Sequence, residues 1–544
     1  MKFRFLTLVL GVFFIFSALI FNLYQLQIKK GAFYLARAQS QYLWAGSLDA
    51  QRGVIYFTDK NGNLIPAAFN KEYQIVIAAT KEINDVQEAA QKLTSILGIS
   101  LVDISKKLSK SGDVVISEKI TDDVIAQIKE AAIKGIYVEK KNFRFYPFGP
   151  SAANVLGYVG LSSADAEVKG RYGAEAYYNE ELRGVPGSMN DGQLIKPTDG
   201  TDLNLTIDRN IQAQAEDILS QIVVKQGAAG GSIIVQEPKT GKILAMANNP
   251  SFDPNSYSKS DLINFLNSNI QALYEPGSVF KVITMAAGID AGKITPDTTF
   301  VDKGFLKLNG KTISNYNNKA FGLVTMTNVI ENSINTGAAF AVSKIGHDDF
   351  YNYAVKFGFR EKTGIPLPGE LRGNLRSLKN DPQEINFATA AFGQGIAVTP
   401  LELIDAVSAI ANGGNLMRPY IVVSQKPEVI TNVIKPSTAS AVAKMMIAAA
   451  VKGQIAEIPN YQVAGKTGTA QIADLKNGGY TDQFIHTFVG FAPVSDPKFT
   501  ILVKIDKPKV GPLAGMTVVP AFHDLAEFIL NYYNIPPDNL ATGR

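Results

Sequence analysis

The sequence predicts an α+β protein: a large domain with an antiparallel sheet flanked by helices, preceded by a transmembrane helix and a mixed α/β pedestal. Three observations carry this. An uncharged apolar run lies at the N-terminus. Residues 31–205 mix short strand patterns with charged helices. After Thr201 the order becomes strands, then helices, then strands and one closing helix, which is the order of a single sheet covered by helices.

Lys2 and Arg4 precede Phe5–Ile28, an uncharged run of 24 residues. As a helix this spans roughly 36 Å, enough to cross a bilayer. The run ends in Asn22-Leu-Tyr-Gln-Leu-Gln-Ile28 before Lys29-Lys30, with no small-residue cleavage site, so it reads as an uncleaved anchor. Residues 1–4 are then a cytoplasmic tail and 5–28 the anchor. Lys29, Lys30 and Arg37 oppose Lys2 and Arg4 in the positive-inside count, so the chemistry below sets the orientation: bulk outside, single pass, in the cell membrane.

In the pedestal, 31–205, two strands are predicted around the turn Asp59-Lys-Asn-Gly62. Tyr73–Ala78 reads as a further strand, and Asp85–Leu97 and Asp122–Ala132 show helical spacing. Gly184–Gly200 is rich in glycine and proline and reads as a linker or extended connection. Nothing in this region assembles a catalytic set.

In the large domain, 206–540, Asp208 caps a helix with a Leu/Ile stripe through Leu219. Ser232–Glu237 and Lys242–Ala247 form a hairpin around Pro238-Lys-Thr-Gly241. Helices fill most of 278–450, Phe488–Pro493 and Phe499–Ile505 are strands, and Ala521–Tyr533 is a closing amphipathic helix.

Composition narrows the chemistry. Over 544 residues, 46% are hydrophobic and 19% charged, which is globular. A net charge of +4 is too small at this length to argue for nucleic acid. The absence of Cys excludes disulfides and thiolate metal sites, and His347, His486 and His523 lack metal-binding spacing, so no metal and no cofactor is expected.

Three short motifs occur in order. Ser278 and Lys281 follow the turn signal Pro276-Gly277, three apart on one helix face. A serine hydroxyl needs a base to become a nucleophile, and a desolvated lysine is one. Ser333 and Asn335, two apart at a helix break, offer a hydroxyl for proton relay and an amide to hold a substrate. Lys-Thr-Gly occurs three times. The Lys239 copy lies in the hairpin turn and the Lys362 copy in a loop. Only Lys466-Thr467-Gly468-Thr469 runs on as a strand, with Gly468 letting a ligand backbone approach.

The ordered set Ser-x-x-Lys, Ser-x-Asn, Lys-Thr-Gly resembles penicillin-binding proteins and serine β-lactamases. Pro250–Asn255, Glu275-Pro-Gly-Ser278, Ala390–Leu401 and Ala411–Gly414 are similar to segments of class B penicillin-binding proteins. So are Arg52-Gly-Val-Ile55, Arg144-Phe-Tyr-Pro147 and Leu156–Gly160 in the pedestal. Glu275 and Pro250–Asn255 look closer to the cell-division type than to the elongation type. Two departures, Ala174 in Gly-Ala-Glu and Asn154 where His is common, bear on stalk packing.

The resemblance implies a peptidoglycan D,D-transpeptidase: Ser278 as nucleophile, Lys281 as base, Ser333 as proton relay, Asn335 on the donor amide, and Lys466, Thr467 and Thr469 on the terminal carboxylate. The Ser278 and Thr469 amides would form the oxyanion hole. It also implies D-Ala-D-Ala stem peptides and amine acceptors as substrates, β-lactams as mimics, and a glycan-polymerising membrane partner with divisome proteins. Two rivals stand beside this. One is a carboxypeptidase or β-lactamase-type hydrolase, for which Glu370 and Asn374 have the spacing of a second base. The other is an inactive anchored scaffold or β-lactam sensor.

Overall fold

A computed structural model of the chain describes residues 2–31, 50–161, 168–190, 193–452, 456–474 and 476–538. Residues 32–49 of the expected pedestal (with Arg37), 191–192 of the Gly/Pro-rich connection and 539–540 of the expected large domain lie outside the described residues.

Helix α1 (Lys2–Tyr24) runs into a π-helical turn, Gln25–Lys29. Its side chains from Leu6 to Tyr24 are all exposed, and the helix is long and apolar enough to cross a membrane.

The rest divides into two compact units, and each draws on separated stretches of chain. The first holds 69–145 and 180–201 with the described residues up to 54; the second holds 55–68, 146–179 and the described residues from 202 onward. This corrects the expectation of one cut near residue 205. Strand β1 (Ile55–Thr58) turns at Asp59–Gly62 into β2 (Leu64–Ala79), and the Asp59 carboxylate accepts the Asn61 and Asn63 N–H groups.

In the first unit, α2 (Val86–Leu97) is capped by Asp85, which accepts from the Gln87 and Glu88 amides, and it stops at left-handed Gly98. After α3 (Leu101–Leu108) come β3 (Asp113–Ile120), α4 (Asp122–Ala131) and β4 (Ile136–Phe145). Tyr73–Ala78 belongs to the long β2 rather than to a separate strand, because residues 69–78 pair continuously with β4 and residues 74–79 also pair with β3. The helices close over Val76, Ala78 and Ile116 with Leu93, Ile104 and Ile128. Gly184–Gly200 is also more ordered than a linker: Val185 bridges Thr198, and Ser188–Asn190 pairs with Gln193–Ile195.

In the second unit β1 pairs in parallel with β5 (Leu203–Asp208), which explains why 55–68 belongs here. Residues 146–179 join it through an aromatic cluster in which Tyr158 stacks on Tyr257 at 4.1 Å and meets Phe252 and Phe265. Both sequence departures sit in this region. Asn154 donates to the Asn264 and Leu266 carbonyls, and Ala174 is fully buried next to Glu175, whose carboxylate accepts from the Tyr146 hydroxyl. Neither therefore packs a separate stalk.

Helix α5 (Arg209–Gln226), capped by Asp208, leads to β6 (Gly230–Gln236) and β7 (Ile243–Asn249). Five helices then carry or support the site: α6 (Lys281–Asp290), α7 (Met326–Glu331), α8 (Asn335–Ile345), α9 (Pro400–Ala411) and α10 (Pro436–Lys452). Small hairpins also occupy this stretch, Thr299–Asp302 with Gly322–Thr325 and Phe305–Leu308 with Lys311–Ser314. The chain closes with β8 (Ala464–Ala473), β9 (Tyr480–Ala492), β10 (Phe499–Asp506) and α11 (Ala514–Tyr532). Helix α11 starts well before Ala521, with Pro520 inside it; a proline at that point reads from sequence as a helix start.

The sheet order is β7-β6-β10-β9-β8, all antiparallel. Strand alternation splits its faces. Ile233, Val235, Phe488 and Val503 face a core shared with α5 and α11, whereas Gln236 reaches Asp405 and Ser408 on α9. Phe522 of α11 is fully buried, 4.6 Å between ring centroids from Phe488. Phe522→Ala is expected to cost about 3–5 kcal/mol, read as a lower urea midpoint by far-UV circular dichroism. An unchanged midpoint would remove this helix from the core.

Candidate active site

Ser278 sits in one 3₁₀ turn, Gly277–Phe280, that leads directly into α6. Gly277 holds this turn with a φ of +56°, in the left-handed region that favours glycine. Its N–H bonds the Gly393 carbonyl at 3.2 Å. A Cβ on Gly393 would lie 2.2 Å from the Gly277 oxygen, and one on Gly468 would lie 2.8 Å from the Pro276 oxygen. Two glycines from distant parts of the chain thus let backbone close around the serine turn. Strand β8, which carries Gly468, is the edge strand of the sheet.

Lys281 is completely buried. Its Nζ lies 3.0 Å from Ser278 Oγ, 2.6 Å from the Ser333 carbonyl oxygen, 2.7 Å from Asn335 Oδ1 and 3.2 Å from Ser333 Oγ. Burial, and secondarily the nearby Lys466 charge, hold its pKa well below that of an ordinary lysine.

Ser333 and Asn335 come from the break between α7 and α8. The break is sharp because Ser333 adopts a φ of +54°, a left-handed conformation rare for a residue with a side chain. It turns both the carbonyl and the hydroxyl of Ser333 toward Lys281. The Asn335 amide is oriented by its Nδ2, which donates to the Ser314 carbonyl at 2.9 Å and leaves Oδ1 for Lys281.

Lys466 is also buried, and its Nζ lies 3.1 Å from Ser333 Oγ, so this hydroxyl stands between two lysines. Burial lowers the Lys466 pKa to about 8. Thr467 and Thr469 alternate with Lys466 and Gly468 along β8 and so share the opposite side of the strand. The Thr469 hydroxyl accepts the N–H of Ala514, the first residue of α11, at 3.2 Å.

The structure therefore brings Ser278, Lys281, Ser333, Asn335 and Lys466 together. The other Lys-Thr-Gly copies lie elsewhere: Lys239 is an exposed turn residue paired with Asp496, and Lys362 is an exposed loop residue. Glu370 is not presented to Ser278. Its carboxylate accepts the Thr363 N–H and hydroxyl and the Gly364 N–H, which fixes a loop, and Asn374 Oδ1 accepts the Arg376 amide. Among the described residues no cluster of His, Cys, Asp or Glu is arranged to hold a metal ion.

Sequence reasoning passed over Glu275 as a site residue. It accepts the Gly395 N–H and the Tyr480 hydroxyl, each at 3.0 Å, and so ties the serine turn to the start of β9. Burial raises its pKa. Its position directly before Pro276 was the available signal.

Residues 231–527, more than half of the chain, match the penicillin binding protein transpeptidase domain. The chain belongs to the penicillin-binding protein transpeptidase family. Residues 47–193 match the penicillin-binding protein dimerisation domain, so the family's two domain types follow one another here. Stage V sporulation protein D of Bacillus subtilis is 33% identical over 502 residues, covering 86% of this chain and 76% of that protein. The peptidoglycan D,D-transpeptidase FtsI of Escherichia coli is 29% identical over 520 residues, 91% of this chain and 86% of that one. Among solved structures, penicillin binding protein 3 of Mycobacterium tuberculosis, complexed with aztreonam, has a TM-score of 0.69 at 27% identity, covering 90% of this chain and 97% of its own.

Proposed function

We propose that the chain is a membrane-anchored peptidoglycan D,D-transpeptidase that works through a Ser278 acyl-enzyme, with its catalytic domain outside the cytoplasm, in septal wall synthesis. The observation that carries the mechanism is the set of neighbours around Lys281 Nζ. The Ser333 carbonyl and Asn335 Oδ1 only accept hydrogen bonds, so they take the two N–H groups of a neutral amine. Its lone pair is then left for the Ser278 hydroxyl proton at 3.0 Å.

Ser278 Oγ bonds to the carbonyl carbon of the penultimate D-Ala while its proton passes to Lys281. The C–N bond to the terminal D-Ala then breaks, and the leaving nitrogen takes a proton through Ser333, the hydroxyl between the two lysines. The Ser278 and Thr469 N–H groups receive the developing oxyanion, Thr469 on an edge strand with unpaired amides to offer. Lys466 supplies positive charge, Thr467 and Thr469 receive the terminal carboxylate, and the remaining Nδ2 hydrogen of Asn335 is available to the donor peptide. An acceptor amine attacks the ester, forms the cross-link and restores Ser278. A β-lactam enters the same way but keeps its amine tethered. Family membership and the name of the FtsI relative support the substrate class, and a glycan-polymerising partner with divisome proteins would supply the strands.

The test is a stem-pentapeptide donor given with and without an amine acceptor. Release of D-Ala with an amide product is expected; free acid alone, with acceptor present, favours the hydrolase.

The Thr469 hydroxyl gives a second expectation. Because it accepts the Ala514 N–H, its own proton is free to donate to a carboxylate. Ala514→Pro removes that N–H at the first helical position, where proline is tolerated. Acylation by a carboxylate-bearing penicillin is expected to slow about tenfold, the loss of roughly one charge-assisted hydrogen bond. The penicillin methyl ester should be unaffected; equal slowing of both would point to general distortion.

A further inference from the structure

A cavity of about 170 Å³ lies between α9, the end of helix His347–Lys356 and the hairpin of Asn415–Met417 with Val429–Asn432. Its walls are largely apolar, with Val355, Phe357, Leu416 and Ile430. Two carboxylates of α9, Glu402 and Asp405, also line it.

Three acids crowd this part of the unit, and their hydrogen bonds differ. Glu370 accepts three bonds from Thr363 and Gly364. Glu402 accepts the Thr399 and Gly373 amides, one on each oxygen. Asp405, only 5% exposed, accepts one bond on Oδ1 from the Gln236 amide. The other end of Gln236 accepts from Ser408, so this amide cannot turn to offer more. No described group donates to Asp405 Oδ2. The chain's own cations do not answer it either: Arg418 is paired with Glu428, Lys356 donates to the Val433 carbonyl, and Lys362 and Glu361 are exposed at the rim with opposite charges.

That oxygen is not sealed into the protein but opens to the cavity, where a carboxylate among largely apolar walls is met best by a ligand of opposite charge. An apolar cavity of about 150 Å³ accommodates benzene. We infer that this cavity is a binding site for a small organic cation with a flat apolar body, its charged nitrogen meeting Asp405 and its ring lying against Phe357 and Leu416. The site is separate from the serine cleft and does not depend on the reaction proposed above. Burial, with the Glu370 and Glu402 charges, raises the Asp405 carboxyl well above its ordinary range toward its neutral form, and a cation, drawn by those same acidic neighbours, would favour the ionised form instead.

The probes are benzamidine and its neutral isostere benzamide, titrated calorimetrically into the full-length protein in detergent. Benzamidine is expected to bind at least tenfold tighter than benzamide. Asp405→Asn keeps the side-chain shape and should bring benzamidine down to the benzamide level. Ile430→Arg, at a half-exposed wall position, should set a competing cation at the mouth and weaken benzamidine tenfold. Prior acylation of Ser278 by penicillin should leave the titration unchanged. Equal affinity of the two probes, or benzamidine binding that penicillin blocks, overturns the inference. So does binding indifferent to Asp405→Asn. If Asp405→Asn does not fold, as judged by circular dichroism, undiminished binding by Ile430→Arg is the overturning result. Failure of Ser278 labelling would count against the proposed function and leave the cation titration as it stands.

Discussion

Ser278→Ala is expected to abolish covalent labelling by fluorescent penicillin while the protein stays folded. The hydroxyl is the only atom removed, and Lys281 keeps its contacts to the Ser333 carbonyl and Asn335, so the buried amine is not stranded. Ser333 also touches both buried lysines, but it sits at the left-handed break between α7 and α8 and serves as the proton relay, so it is not expected to take over the nucleophile's role. The check is gel fluorescence after denaturation, with circular dichroism for the fold. A covalent signal from the alanine variant would remove Ser278 from the mechanism. In the wild type the label should persist for many minutes; rapid turnover would favour a hydrolase.

The second large effect belongs to Lys281. Lys281→Met keeps the length and the burial of the side chain but removes the lone pair, so acylation is expected to slow by about 10²–10⁴, the span of a lost general base. The variant also leaves the Ser333 carbonyl and Asn335 Oδ1 unsatisfied, at about 1–3 kcal/mol, so stability is measured in parallel. The pH profile tests the role without mutation. Lys281 takes the serine proton only when neutral, and burial with the Lys466 charge depresses its pKa, so the rate should climb as pH rises through that lowered value. Lys466 is cationic below about 8 and loses its charge above it, so the rate should fall again through about 8. Both lysines meet Ser333, so the two limbs belong to the pair. A rate that keeps rising past that alkaline limb would sink the role given to the Lys466 charge.

Much of this site was legible in the chain because its logic is local. The spacing of Ser278 and Lys281 puts them on one face of a turn, and strand context selects Lys466 over Lys239 and Lys362. Helix caps at Asp85 and Asp208 and the turn at Asp59 were readable for the same reason. What escaped depends on contacts between distant segments. The parallel pairing of β1 with β5 draws residues 55–68 into the second unit, and no local signal announces it. Asn335 was assigned to substrate from its amide alone, yet its carbonyl is turned onto Lys281 by Ser314, a residue of another hairpin. The bond from Ala514 to Thr469 and that from Gly395 to Glu275 arise in the same way.

The close glycine contacts around the serine turn also bear on how the protein matures. Gly277 meets Gly393, and Pro276 meets Gly468, so the nucleophile is seated only after chain made much later has returned to it. Such non-local contacts are slow to form. A growing or half-folded chain therefore holds Ser278 and Lys281 near one another without the strand that completes their pocket. Capture by a β-lactam should then begin only when β8 docks, and an antibiotic pulse during synthesis would date that last step.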